Sequence, residues 1–83
     1  MTELGLLWRM RKGDGEFTAR LGYDEARGHV LILAHDGREL SRAVFERGPI
    51  EVVAAARVKR AELVERGWTE VEPEELRVLN TGL

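Results

Sequence analysis

The sequence contains no cysteine and no glutamine, and its only asparagine is Asn80. Without thiols the chain forms no disulfide and offers no thiolate to a metal or a substrate. Lysine is scarce as well, since only Lys12 and Lys59 occur and arginine supplies the rest of the 13 basic residues. Depletion of these amide and thiol residues beside abundant charge is typical of thermophilic proteins. A GC-rich genome produces much of the same bias.

Long apolar runs are also missing. The longest, over residues 30–34, is far shorter than the ~20 residues that a membrane-spanning helix needs. The first residues do not show the basic and then apolar pattern of a secretion signal. We therefore expect a cytoplasmic protein that does not enter a membrane.

The charge balance limits the possible partners. With 13 basic and 15 acidic residues the net charge is −2, which is unlike the basic body of proteins that depend on phosphate contacts. The length of 83 residues predicts a single domain over residues 1–83. A domain of this size has little core, so self-association is a ready supplement to its stability.

Four segments have the apolar and polar pattern of strands, over residues 4–10, 17–23, 29–35 and 38–45. Residues 12–15 and 24–28 are rich in turn formers. Asp36-Gly37 is a strong signal for a type I′ hairpin turn. Short turns between consecutive strands predict an antiparallel meander.

A long helix is predicted after the fourth strand. Pro49 suits its first position, and Gly67 suits the left-handed residue that follows a helix end. We expect this helix to bury one apolar side. The residues chosen for that side are Ile50, Val53, Leu63 and Val64. Residues 68–71 suit a short closing strand or an extended segment, and residues 73–79 a short second helix.

Together these elements predict an α+β fold of the order ββββα, with a four-stranded meander and one long helix on one face of the sheet. Trp68 is expected to fold over the helix end and the sheet rim. The residues expected on the sheet side of the core are Trp8, Met10, Phe17, Ala19, Leu21 and Phe45. The predicted order resembles several small ββββα modules, including the whirly-type binders of single-stranded nucleic acid. This resemblance concerns architecture alone and implies no residue roles.

The sheet face away from the helix is the first candidate site. Side chains alternate between the two faces of a strand, so inward Trp8 and Phe17 place a group of arginines outward. Its members are Arg9, Arg11, Arg20 and Arg42. These arginines either hold phosphates or an acidic partner, or they are solubilising residues paired with nearby acids such as Glu16 and Glu39. No aromatic residue is interleaved with them as a base-stacking surface requires.

The third strand adds apolar residues to that face. Its centre is apolar on both parities, so either parity leaves aliphatic side chains outward, among them Val30 and Ile32. Leu7, Leu40 and Val44 are expected beside them. An apolar centre with arginines at its rim is typical of protein interfaces. The alternative is that neighbouring side chains or the C-terminal segment shield these residues.

Catalytic, metal and cofactor sites are not indicated. His29 and His35 lie about 20 Å apart along one strand at the usual rise, so they cannot share a metal. Ser41 has no histidine at a recognisable spacing. Arg57 and Arg60 form an anion pocket, pair with carboxylates from the sheet, or extend into water from packed stems. We therefore expect no enzyme and no cofactor.

The sequence favours a small non-enzymatic protein-interaction or regulatory module that acts through the open sheet face as a homodimer. The alternative is a nucleic-acid-binding module that uses the outward arginines. Neutral charge and the mixture of aliphatic residues with arginines favour the first hypothesis.

Overall fold

The computed structural model describes residues 1–71, which form one antiparallel sheet and one helix. The elements in chain order are β1 (Thr2–Lys12), β2 (Gly15–Asp24), β3 (Gly28–His35), β4 (Arg38–Phe45), α1 (Pro49–Glu65) and β5 (Thr69–Glu70). The strands lie in the order β4-β3-β2-β1-β5. The predicted ββββα order is confirmed, and residues after the helix add a short fifth strand. The second helix predicted over residues 73–79 lies outside the described residues.

The turn and helix-end residues adopt the backbone conformations that their chemistry predicts. Asp36 and Gly37 both have positive φ, at 52° and 81°, as a type I′ hairpin turn requires. Gly67 has φ of 95°, and its N–H donates to the carbonyl of Val64 at 3.0 Å. The helix therefore ends before Gly67, because a residue without Cβ takes the left-handed conformation at little cost.

The core lies between α1 and one face of the sheet. Its buried cluster consists of Trp8, Met10, Phe17, Ala19, Leu31, Val52, Ala56 and Leu63. The strand parities predicted for β1 and β2 are thus confirmed, and Leu21 and Phe45 are partly buried against this cluster. Trp68 also packs against it, with its ring edge-on to Phe17 at a centroid distance of 5.9 Å.

The buried side of the helix differs from the predicted side. Of the four residues expected in the core only Leu63 is buried, whereas Ile50 is 83% exposed and Val53 and Val64 are also exposed. The buried positions are instead Val52, Ala56 and Leu63, which recur at helical spacing.

Ala56 explains this orientation of the helix. Its small side chain lets the helix backbone approach the sheet, so that its carbonyl accepts a hydrogen bond from the indole N–H of Trp8 at 2.8 Å.

Lys59 lies on the same side of the helix, with its ammonium 5.9 Å from the centre of the Phe17 ring. A long stem packs against apolar surface while the charge stays near water. The charged residue therefore does not prevent this side of the helix from facing the core.

An irregularity in β1 changes the direction of Leu7. The register shifts between Leu6 and Trp8, so that Leu6 pairs with Arg20 and Trp8 pairs with Ala19. A bulge adds a residue to one strand and breaks the simple alternation of faces. Leu7 consequently packs against the helix-side core and not on the open face, and the expectation of an outward Leu7 is wrong.

Candidate interaction surfaces

The register brings the outward arginines onto the open sheet face, the face that α1 does not cover. Arg20, Ile32 and Arg42 occupy one row across β2, β3 and β4. Arg9 pairs with Thr18, and Arg11 pairs with Glu16. On β1 and β2, Arg9, Arg11 and Arg20 are opposite in parity to the core residues Trp8, Met10, Phe17 and Ala19, and Arg42 on β4 is opposite in parity to Phe45. The sheet therefore collects the four arginines on one face, as the alternation predicts.

Each of these arginines lies near a carboxylate. Arg9 and Arg11 share Glu16, at 4.0 and 3.7 Å. Arg20 lies 3.3 Å from Glu3. Exposed ion pairs of this kind contribute little to stability, since solvent screens them and their side chains lose entropy. Their main effect is to neutralise the local positive charge.

The pair of Arg42 and Glu39 has the best geometry on this face. Two guanidinium nitrogens of Arg42 donate to the two carboxylate oxygens of Glu39, at 3.2 and 2.7 Å. These hydrogen bonds hold the pKa of Glu39 below its ordinary value and raise the pKa of Arg42. Both side chains are exposed, so this pair orders the surface of β4 more than it stabilises the fold.

The apolar centre of the open face is not accessible. Val30 and Ile32 point to this face, but they are 1% and 7% exposed. Ile32 lies between Arg20 and Arg42 in its row, and the Arg42 guanidinium reaches within 3.6 Å of the Met1 sulfur. Long arginine stems cover apolar surface while their charged groups remain in water. The expectation that Val30 and Ile32 form an exposed patch is therefore wrong, because they are shielded.

β4 retains exposed apolar side chains at the edge of this face. It is the first strand of the sheet order, so one long edge has no neighbouring strand among residues 1–71. Seven of its eight residues are exposed, including Leu40 at 57% and Val44. An unpaired edge presents a row of N–H and C=O groups that readily pair with another strand. This edge, together with Leu40 and Val44, is called the β4 edge below.

A second apolar surface runs along the outside of α1. Ile50 and Val58 are 83% and 62% exposed. At 100° per residue these positions fall on one side of the helix, opposite the buried side. The outer stripe of the helix consists of Ile50, Ala54, Val58, Ala61 and Val64. Sequence reasoning missed this stripe because it merged two sets of apolar positions into one broad side. The separation of Val52, Ala56 and Leu63 from the stripe by about half a turn was the available signal.

The two histidines have structural neighbours. The ring centroid of His29 lies 5.0 Å from that of Tyr23. The ring centroid of His35 lies 5.9 Å from those of Phe17 and Trp68. Within residues 1–71 no group of three or more histidine or acidic residues is arranged to hold a metal ion.

Arg60 pairs with a carboxylate from the sheet, which is one of the three arrangements considered for it. Its guanidinium donates to Glu70 of β5 at 2.9 Å. Arg57 is an exposed residue on the same helix.

Comparison of the chain with protein-family models, with curated proteins and with solved structures gives no match. The one helix within residues 1–71 lacks the length and the apolar character that crossing a bilayer requires.

Proposed function

We propose that this protein is a small non-enzymatic interaction module that forms a homodimer through the β4 side of its open sheet face. The observation that supports the proposal is the β4 edge, which combines unpaired main-chain groups with exposed Leu40 and Val44. Pairing through an edge strand supplies main-chain hydrogen bonds, and the side chains at that edge supply specificity.

A second copy of the chain suits this edge. Two antiparallel β4 strands related by a twofold axis present the same surface to each other, which is the usual arrangement of homodimers. Burial of one exposed aliphatic side chain contributes about 1.5–3 kcal/mol.

Binding of nucleic acid through Arg9, Arg11, Arg20 and Arg42 is the alternative proposal. The carboxylates near these four arginines weigh against it, since each guanidinium lies within 4.0 Å of an acidic oxygen. The net charge of −2 weighs against it as well.

Sedimentation velocity of the full chain at micromolar concentration tests the homodimer. We expect a dimer for the wild-type protein and a monomer for Val44→Asp, because a carboxylate buried at an interface lacks a partner. Val58→Asp, which places the same charge on the outer stripe of the helix, is the matched control and should remain dimeric. A wild-type monomer overturns the proposal. Dissociation by Val58→Asp alone overturns its location at β4.

Titration with single-stranded and double-stranded oligonucleotides tests the alternative. Binding through the arginines should weaken steeply as salt rises from 50 to 200 mM, since phosphate contacts release counterions. It should weaken further in the double variant Arg20→Gln and Arg42→Gln. No binding at 50 mM salt excludes the alternative.

A further inference from the structure

A groove of about 320 Å³ runs between α1 and β1. Four of its lining residues are apolar, namely Leu7, Trp8, Val53 and Ala56, and the other three carry charges. At ~30 Å³ for one water molecule, this volume corresponds to about ten waters, or a ligand of roughly ten non-hydrogen atoms. Small-molecule sites commonly combine apolar lining residues with a few polar groups that fix orientation.

The floor of the groove is fixed in advance of any binding. Trp8 is 5% exposed, and its indole N–H is already satisfied by the carbonyl of Ala56 at 2.8 Å. The bulge in β1 turns Leu7 toward the same side. A ligand therefore displaces no hydrogen bond of the indole, which lowers the cost of binding.

Charged groups occupy the rim. Arg57 and Arg60 belong to the helix, and Glu70 belongs to β5. The Arg60 guanidinium donates to the Glu70 carboxylate at 2.9 Å. Two guanidinium groups and one carboxylate leave a net charge of +1 at the rim. A single carboxylate neutralises that charge, and guanidinium groups are well suited to bind carboxylates through paired hydrogen bonds.

We propose that this groove binds a small monocarboxylate with a linear aliphatic body of about eight carbons. The aliphatic body lies on Leu7 and Val53, and the carboxylate is held by Arg57 at the rim. This site is separate from the β4 edge, because β4 and β1 are separated by two strands in the sheet. Its existence does not depend on the homodimer.

Nuclear magnetic resonance of the ¹⁵N-labelled full chain tests the proposal, with sodium octanoate as the probe. We expect saturable shifts of the Trp8 indole N–H and of the amides of Leu7 and Arg57, with a dissociation constant of about 1 mM or lower. Sodium butanoate, which lacks most of the aliphatic body, should bind at least fivefold more weakly. The neutral alcohol 1-octanol should also bind at least fivefold more weakly.

Two arginine variants separate the site from general charge effects. Arg57→Gln should weaken octanoate binding at least fivefold while its spectrum shows an intact fold. Arg47→Gln removes the same charge next to the helix start, where Arg47 lies 3.8 Å from Glu51, and should leave binding unchanged.

Three results overturn the proposal. The first is the absence of saturable shifts at the groove, and the second is equal binding of octanoate and 1-octanol. The third is that the same groove amides shift when protein concentration alone is raised, because a second copy of the chain then occupies the groove.

Discussion

The indole N–H of Trp8 donates a hydrogen bond to the main-chain carbonyl of Ala56, 2.8 Å away and 48 positions further along the chain. This bond is buried, and it joins the sheet to the middle of the helix. A buried polar group that loses its partner carries the cost of desolvation without compensation. The bond therefore sets the rotation of α1 about its own axis as well as its distance from the sheet.

Trp8→Phe should lower the free energy of unfolding by about 1–3 kcal/mol, through the lost hydrogen bond and the space left by the smaller ring. Urea denaturation followed by circular dichroism measures the change. Trp68→Phe is the control, because Trp68 is only partly buried and lies at the rim of the core. An equal effect of both variants would show that ring volume, and not the hydrogen bond, matters at Trp8.

Phe17→Ala should lower the free energy of unfolding by about 3–5 kcal/mol, since a buried aromatic ring is replaced by a cavity. Ile50→Ala should change it by no more than about 0.5 kcal/mol, because this exposed side chain packs against little. Thermal melts of both variants check the pair. A large loss for Ile50→Ala would mean that the outer stripe of the helix is covered.

Gly67→Val should destabilise the protein by about 1 kcal/mol or more, because a β-branched residue is strained at the positive φ of this position. The space around Gly67 is sufficient, since an added Cβ meets the Lys12 side chain no closer than 3.6 Å. Gly5→Val is the control at a position without positive φ, where an added Cβ meets nothing within 4 Å. Chemical denaturation measures the free energy of unfolding of both variants, and Gly67→Val should lose more of it than Gly5→Val. Similar losses in the two variants would count against backbone strain at Gly67.

The carboxyl group of Glu39 should titrate below its ordinary value, because the hydrogen bond from Arg42 favours the charged form. A carboxyl whose pKa is lower in the folded state contributes stability above its unfolded value and loses it as the pH falls through the folded value. Carbon-detected NMR of the Glu39 side chain measures the pKa. Arg42→Gln should return it toward the ordinary value, whereas Arg38→Gln on the same strand should not. An unchanged pKa in Arg42→Gln would contradict the assignment of its cause.

Local chemistry explains why the order of elements was predictable from sequence. Asp36-Gly37 and Gly67 fix their turns through backbone conformations that few other residues adopt. The alternation around Trp8 and Phe17 identified which side chains of β1 and β2 are buried, because a strand places successive side chains on opposite faces. The arginines of the candidate open face followed from this parity.

The sequence-based prediction failed where residues far apart in the chain decide whether a side chain is buried. The aliphatic residues of α1 occupy two sides of the helix, and contact with the sheet, including the hydrogen bond from Trp8, selects the side of Ala56. Val30 and Ile32 point to the open face as their parity allows, yet their burial depends on the side chains of neighbouring strands. Leu7 lies on the helix side because the register of β1 shifts against β2.

The sequence by itself therefore determined the α+β order of strands and helix, the positions of the tight turns and the inward parity of β1 and β2 around Trp8 and Phe17. These features depend on the conformations that single residues and short patterns prefer. Only the tertiary structure decided which side of α1 is buried, which apolar residues remain exposed and how the arginines are paired. Those features depend on packing and register between segments far apart in the chain, and no local preference encodes them.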